Sequence, residues 1–232
     1  MRLLHLLGAV SASAVSLGLI TSANAAPLDD PNLVFSGTYV DMYLKNFPTG
    51  LNNEQSVFLA DSTGTTITGN VGSQNGTPII NFSSTTDTLV GSQGNANITA
   101  VDNLINNITI TAPGYWFDDL IFSVNLTPND NQDLSITGTD KSGGTDTYAG
   151  WVTSAPGWVN GENNILVLST SGNLMQSVTI NSNTGIQTLG GLASLKNISI
   201  SGLTAVPVPP ASWLFGSGLL GIAAVARRKM SS

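Results

Sequence analysis

No cysteine occurs anywhere in the chain, and the only histidine is His5. The first absence excludes disulfides and thiolate nucleophiles. The second, once the first 25 residues are set aside for the reasons below, excludes Ser-His-Asp and Cys-His catalysis and histidine-held zinc. Glutamate is scarce as well, with only Glu54 and Glu162. A glycosidase would therefore have to build its two carboxylates mostly from aspartate, and no pairing of that kind is visible. Cations number seven against 14 carboxylates. Residues 26–205 hold all 14 acids but only Lys45, Lys141 and Lys196, three against fourteen, which leaves −11. Such a surface repels phosphate backbones, so nucleic-acid binding is excluded. The residue types that remain favour contact over catalysis.

The two ends differ from the middle. From Val206 to Ala226 there are 21 apolar or small residues without a charge, closed by Arg227, Arg228 and Lys229. Pro207, Pro209 and Pro210 disfavour helix at the start of this run, so the spacing predicts a short transmembrane helix over about 211–226, roughly 24 Å at the helical rise. The three terminal cations stay on the cytoplasmic side, which leaves everything before the prolines outside. The alternative is a buried C-terminal core helix, which has no need of an all-round apolar surface. At the other end, Arg2 and His5 precede an apolar stretch to Ile20, and Ala23-Asn24-Ala25 fits the small-x-small rule. A signal peptide over 1–25 is expected, cut between Ala25 and Ala26 by signal peptidase. An uncleaved anchor is the alternative there.

The tail also resembles a known family, the PEP-CTERM sorting tails of Gram-negative bacteria. The resemblance covers roughly residues 205–230. It rests on Val206-Pro207-Val208-Pro209-Pro210, on Trp213-Leu214-Phe215-Gly216-Ser217-Gly218-Leu219-Leu220-Gly221, and on the closing Ala226-Arg227-Arg228-Lys229. Val208 stands where glutamate is common in such tails, so this is a Val-Pro-x-Pro form. The resemblance implies an exosortase, a membrane cysteine transpeptidase or protease, as processing partner. It further implies transient anchoring in the inner membrane, cutting near the prolines, and release or transfer to the envelope.

Between the ends lie residues 26–205, long enough for one domain with a sizeable core. Ile108-Thr109-Ile110-Thr111, Leu134-Ser135-Ile136-Thr137, Ser177-Val178-Thr179-Ile180 and Asn197-Ile198-Ser199-Ile200-Ser201 alternate apolar and polar residues, as half-buried strands do. Further strands are expected at Val34–Leu44, Ser56–Ala60, Thr65–Val71, Pro78–Phe82, Thr86–Val90, Leu120–Leu126, Thr147–Val152 and Asn164–Ser169. Glycine-rich turns such as 72–76, 91–95 and 142–144 separate them. About a dozen short strands with little helical period predict an all-β fold, an antiparallel two-sheet β-sandwich of jelly-roll type. A β-solenoid is the alternative, although no fixed period recurs. The stretch from Trp116-Phe117-Asp118-Asp119-Leu120 to Ser201-Gly202, with a Gly161-Glu162-Asn163 turn, is similar to other PEP-CTERM passenger domains, which implies a β-sandwich and no particular activity.

Three groups could carry chemistry. Asp118 and Asp119 are adjacent, so a regular strand points them to opposite faces and they cannot act as a pair. Either a strand-entry turn held by Asp side chains or a cation ligand fits them. Asn129, Asp130, Asn131 and Asp133 offer oxygens at the spacing calcium uses, with Asp140 at the twelfth position and Asp146 beyond. Leu134 replaces the turn glycine, so a calcium site and a solvated hairpin loop are both open. Tyr115, Trp116, Phe117, Tyr148, Trp151 and Trp158 lie near Gly, Pro and Asp, where a ring could stack on a sugar. Core packing suits most of them, with Trp151 and Trp158 the candidates for a glycan.

The expectation is an exported cell-surface or extracellular-matrix protein without enzymatic activity, sorted by an exosortase-type system and associated with exopolysaccharide or biofilm. A carbohydrate-binding β-sandwich module, with calcium as a structural cofactor, is the alternative.

Overall fold

A computed structural model describes residues 33–44, 54–126, 133–151, 161–170, 172–182 and 192–207. These form strands, and no helix occurs among them. In chain order they are β1 (Leu33–Ser36), β2 (Val40–Leu44), β3 (Gln55–Leu59), β4 (Ser62–Gly64), β5 (Thr66–Val71), β6 (Ile79–Ser83), β7 (Leu89–Ser92), β8 (Gly94–Asn95) and β9 (Asn97–Ala100). There follow β10 (Asn107–Thr111), β11 (Tyr115–Trp116), β12 (Asp119–Leu126), β13 (Asp133–Asp140), β14 (Thr145–Trp151), β15 (Gly161–Ser169), β16 (Met175–Ser182), β17 (Leu192–Ser201) and β18 (Thr204–Ala205).

Every strand pairing is antiparallel, and 16 strands join one continuous sheet folded into two layers. The first layer runs β1-β2-β15-β12-β17-β9-β7-β4 and the second β3-β5-β6-β10-β16-β13-β14. A solenoid would stack its strands in parallel, so that alternative is overturned. The alternation read from the sequence is what separates core from solvent. Ile108 and Ile110 of β10, Val178 and Ile180 of β16, and Ile198 and Ile200 of β17 are all buried between the layers, while Thr109, Thr179 and Ser199 between them are partly exposed. Phe82, Phe117, Phe122 and Met42 fill the largest volumes there.

The two layers meet along both sides, which gives the sandwich a nearly barrel-like closure. On one side β3 belongs to both: Val57–Leu59 pair with β5, whereas Ser56 and Gln55 pair with Ser199 and Ile200 of β17. A bulge in β17 permits this. Ile121 faces Ser199 but Ser123 already faces Lys196, and Asn197 takes up the extra residue at φ 52°. Before the bulge β17 pairs with β9, and after it with β3. On the other side the β1–β2 hairpin is clasped to β14. Asp146 accepts hydrogen bonds from the backbone N–H groups of Tyr39 and Val40, and Phe35 meets Tyr148 edge to face with ring centres 6.5 Å apart. Val40 fills the space over Gly138, where an added Cβ would lie 2.7 Å from Val40 Cγ1.

Four segments depart from the sequence reading, the first being 91–95, where Gly91 and Ser92 end β7 and Gly94–Asn95 form β8 rather than a separating turn. Val34–Leu44 is not one strand but two, because Gly37 N donates to Val40 O and turns the chain. Thr86 and Asp87 belong to a turn, so that strand starts at Leu89. Gly161-Glu162-Asn163 is strand, the start of β15 paired to the end of β12, rather than a turn.

Candidate functional site

Asp118 immediately precedes β12 and Asp119 opens it, and the two point apart. Asp118 accepts a hydrogen bond from the Ser169 hydroxyl, and Asp119 Oδ2 accepts one from the Ser201 hydroxyl. The donors are serines of the two flanking strands rather than turn N–H groups. Gly202, at φ 62°, lets the chain pass close over Asp118, since a Cβ there would lie 2.3 Å from that of Asp118. Asp119 is 2% exposed, yet its Oδ1 has no hydrogen-bond partner. Burial pushes its carboxyl above the usual aspartate value. The Ser201 hydrogen bond opposes that rise, and the nearby charges of Asp118 and Glu54 add to it.

Asp140 ends β13 and closes a tight turn. Its Oδ1 accepts from Ser142 N at 2.9 Å, Gly144 N at 2.6 Å and the Ser142 hydroxyl at 2.7 Å. Burial raises its carboxyl, but hydrogen bonds from Ser142, Gly144 and Gly143 outweigh burial and hold it below the usual range. Asp133 is the first residue of the same eight-residue strand. At about 3.3 Å per residue the strand holds Asp133 and Asp140 roughly 23 Å apart, out of reach of one cation. Asn129, Asp130 and Asn131 lie outside the described residues. Asp146, the further contributor considered, is engaged in the Tyr39–Val40 clasp. Among the described residues no group of three or more acidic, histidine or cysteine side chains could hold a metal.

Of the aromatic candidates, Phe117 is wholly buried, and Tyr115 and Tyr148 pack against the core. Trp116 pairs with Thr204 in the small β11–β18 ribbon. Trp151 ends β14 opposite Asp133, and Trp158 lies outside the described residues. Ala23, Ala25 and Ala26, the tail from Val208 through Pro209 and Pro210, and Arg227, Arg228 and Lys229 also lie outside them. Val206 and Pro207 are described: Val206 N donates to Gly114 O, so the chain is pinned to the domain at the residue where the proline segment begins. No helix among the described residues is long and apolar enough to cross a membrane.

Two features escaped the sequence reading. Asp87, 6% exposed, ties the turn after β6 to the start of β10. It accepts from Asn106 N at 2.9 Å, Asn106 Nδ2 at 2.8 Å, Asn107 N at 3.1 Å and the hydroxyls of Ser84 and Thr86. Burial raises its carboxyl, but these bonds outweigh it and the net shift is downward. The local half of this knot is written in the sequence, since Ser84 and Asp87 bond reciprocally at the Ser-x-x-Asp spacing of a capping box.

The second is the outer face of the second layer. Register aligns Thr66, Ser83, Thr109, Thr179, Thr137 and Thr147 in one row across six strands. Thr68, Asn81, Thr111, Ser177, Thr139 and Thr145 form a second row beside it. Twelve uncharged side chains thus make a double line of hydroxyls and one amide, all facing solvent. The signal in the sequence was the Thr-x-Thr repeated at 66–68, 109–111, 137–139 and 145–147.

No family model matches the chain, and neither a curated protein nor a solved structure matches it.

Proposed function

We propose that this chain is an exported surface or matrix protein that works by contact rather than catalysis, sorted through an exosortase-type system and associated with exopolysaccharide. The observation that carries this reading is the run from Val206 to Lys229, a proline segment, an apolar span and three cations. The pinning of Val206 to Gly114 supports a domain boundary at that point, because backbone pairing to the domain reaches Ala205 and the prolines follow at once. The nested pairing of β9 with β17, β10 with β16, β12 with β15 and β13 with β14 supports a jelly roll within the larger sandwich. The engagement of Asp87, Asp118, Asp140 and Asp146 in structural hydrogen bonds supports a non-enzymatic role, as does the absence of cysteine.

Cell fractionation with intact-mass analysis tests the sorting, comparing the natural chain with one that lacks residues 206–232. The natural chain is expected to lose residues 1–25 and its tail and to reach the surface or the medium, while the truncated chain bypasses membrane retention. A natural chain that stays membrane-bound with its tail intact overturns the reading.

A carbohydrate-binding role is the second reading, and the uncharged hydroxyl face of the second layer is what favours it.

A further inference from the structure

We propose that the outer face of β5-β6-β10-β16-β13-β14 binds a single extended chain of a neutral polysaccharide, laid across the strands with one sugar over each. This rests on the reading of a polymer-associated protein and names the surface and the polymer class. The two hydroxyl rows run perpendicular to the strands, with neighbouring members about 4.8 Å apart, and the rows lie about 6.7 Å from each other. An equatorially linked pyranose advances along its chain by its C1–C4 span plus one bridging oxygen, which is close to the strand spacing. Its ring substituents reach outward on both sides over a width that the two rows bracket. Six strands therefore offer six repeats of one contact, over a row about 24 Å long.

Three further observations select this partner. The twelve side chains of the two rows carry no charge in a domain of formal charge −11, so a neutral polymer approaches them and a polyanion is repelled. The rows keep hydrogen-bonding capacity. Thr109 pairs with Thr179 at 3.0 Å and Thr137 with Thr147 at 2.8 Å, and each pair uses one hydroxyl proton and leaves the other available to a ligand. β-branched threonine also holds few rotamers, so the donors are positioned before the ligand arrives. Finally, neighbouring strands twist by roughly 20–25°, which would lift a flat crystalline surface, whether of polysaccharide or ice, off the face within two or three strands. A lone chain turns at each glycosidic linkage and follows that twist. No tryptophan is needed in this mode, which separates it from stacking on Trp151 or Trp158.

The test is affinity electrophoresis and titration calorimetry on the full chain in a polyoxyethylene detergent, which carries no sugar. The probes are hydroxyethyl cellulose, alginate, and β-1,4-glucan oligomers of two to six sugars. Retardation by hydroxyethyl cellulose but not by alginate is expected, with affinity rising with oligomer length. The double variant Thr137→Val/Thr179→Val keeps shape and β-propensity and should bind about tenfold more weakly, in line with the loss of two modest hydrogen bonds. Should its melting temperature fall, Thr145→Val/Thr147→Val on the outermost strand serves instead. Trp151→Ala should leave binding intact. No retardation by hydroxyethyl cellulose overturns the proposal, as does binding that both valine pairs leave unchanged, binding lost with Trp151→Ala, or partition into growing ice without glucan binding. None of these outcomes bears on the processing of the tail, which the fractionation experiment reads separately.

Discussion

Asp87 and Asp119 are both buried and held in opposite ways. Asp87 sits in a turn and receives two backbone N–H groups, one amide and two hydroxyls. Asp119 lies on a strand between two others, and only Ser201 donates to it while one oxygen has no partner. The carboxyl of the first is lowered and that of the second raised. Burial acts upward on both; the many donors to Asp87 outweigh it, whereas at Asp119 the few donors do not, and the charges of Asp118 and Glu54 add to the rise. Turns supply free N–H groups and a strand interior has already committed its own to the ladder. Of these two carboxylates, the one among turns is fully engaged and the one within the sheet is poorly satisfied.

The largest expected effect comes from breaking the well-satisfied case. Asp87→Ala strips the acceptor from Asn106 N and Asn107 N and should lower stability by about 2–4 kcal/mol, since buried donors left unpaired cost about 1–3 kcal/mol each. Urea denaturation followed by circular dichroism measures it. An effect under about 0.5 kcal/mol would mean that water takes over the donors and that the knot is not structural. Asp140→Ala should follow at about 1–2 kcal/mol, because part of its turn can turn to solvent. Added calcium should raise the melting temperature of neither the natural chain nor this variant by way of Asp140, whose Oδ1 is already filled by Ser142 and Gly144. A calcium-dependent rise abolished by Asp140→Ala would reverse that assignment. Asp146→Ala, which frees Tyr39 N and Val40 N, should cost about 1 kcal/mol. It should also speed hydrogen exchange at those two amides before the rest of the domain. Uniform exchange would show that the clasp does not close the layers on that side.

How much of this was legible depended on sequence distance. The alternation in Ile108–Thr111 and Ser177–Ile180 marked strands because a single residue's neighbours decide which face it takes. The Ser84–Asp87 half of the knot lies within four residues and carries a recognised spacing. Its other half, Asn106 and Asn107, lies about twenty residues on, and nothing local links them. The hydroxyl rows show the same limit on a larger scale. Each Thr-x-Thr is visible alone, but their alignment depends on the register of six strands drawn from residues 66 to 179. A slip of one residue in any strand would turn its threonines inward. Asp140 misled for a related reason. Its spacing from Asn129 counted residues as if they formed a loop, and an intervening strand stretched that count along its full length.

The smallest expected effect lies with Asp119, and it tests the comparison most sharply because the sign is opposite. Its folded carboxyl titrates above the unfolded value of 3.8. The neutral form is therefore favoured in the folded state. Its contribution is present below pH 3.8 and is lost as pH rises through the raised folded value. Asp87 and Asp140 run the other way: their depressed carboxyls contribute fully above 3.8, and that contribution is lost as pH falls through their folded values. Asp119→Asn removes the charge, keeps an acceptor for Ser201 and places an amide where Oδ1 had no partner. At pH 7 the variant should match or exceed the natural chain, by up to about 1 kcal/mol. Its advantage should shrink as the pH is lowered toward 4, where the natural carboxyl takes up its proton. Thermal melts of the two chains from pH 3 to pH 8 read the difference directly. A variant less stable at pH 7 than at pH 4, relative to the natural chain, would mean that ionised Asp119 has a partner strong enough to reverse the cost of its burial.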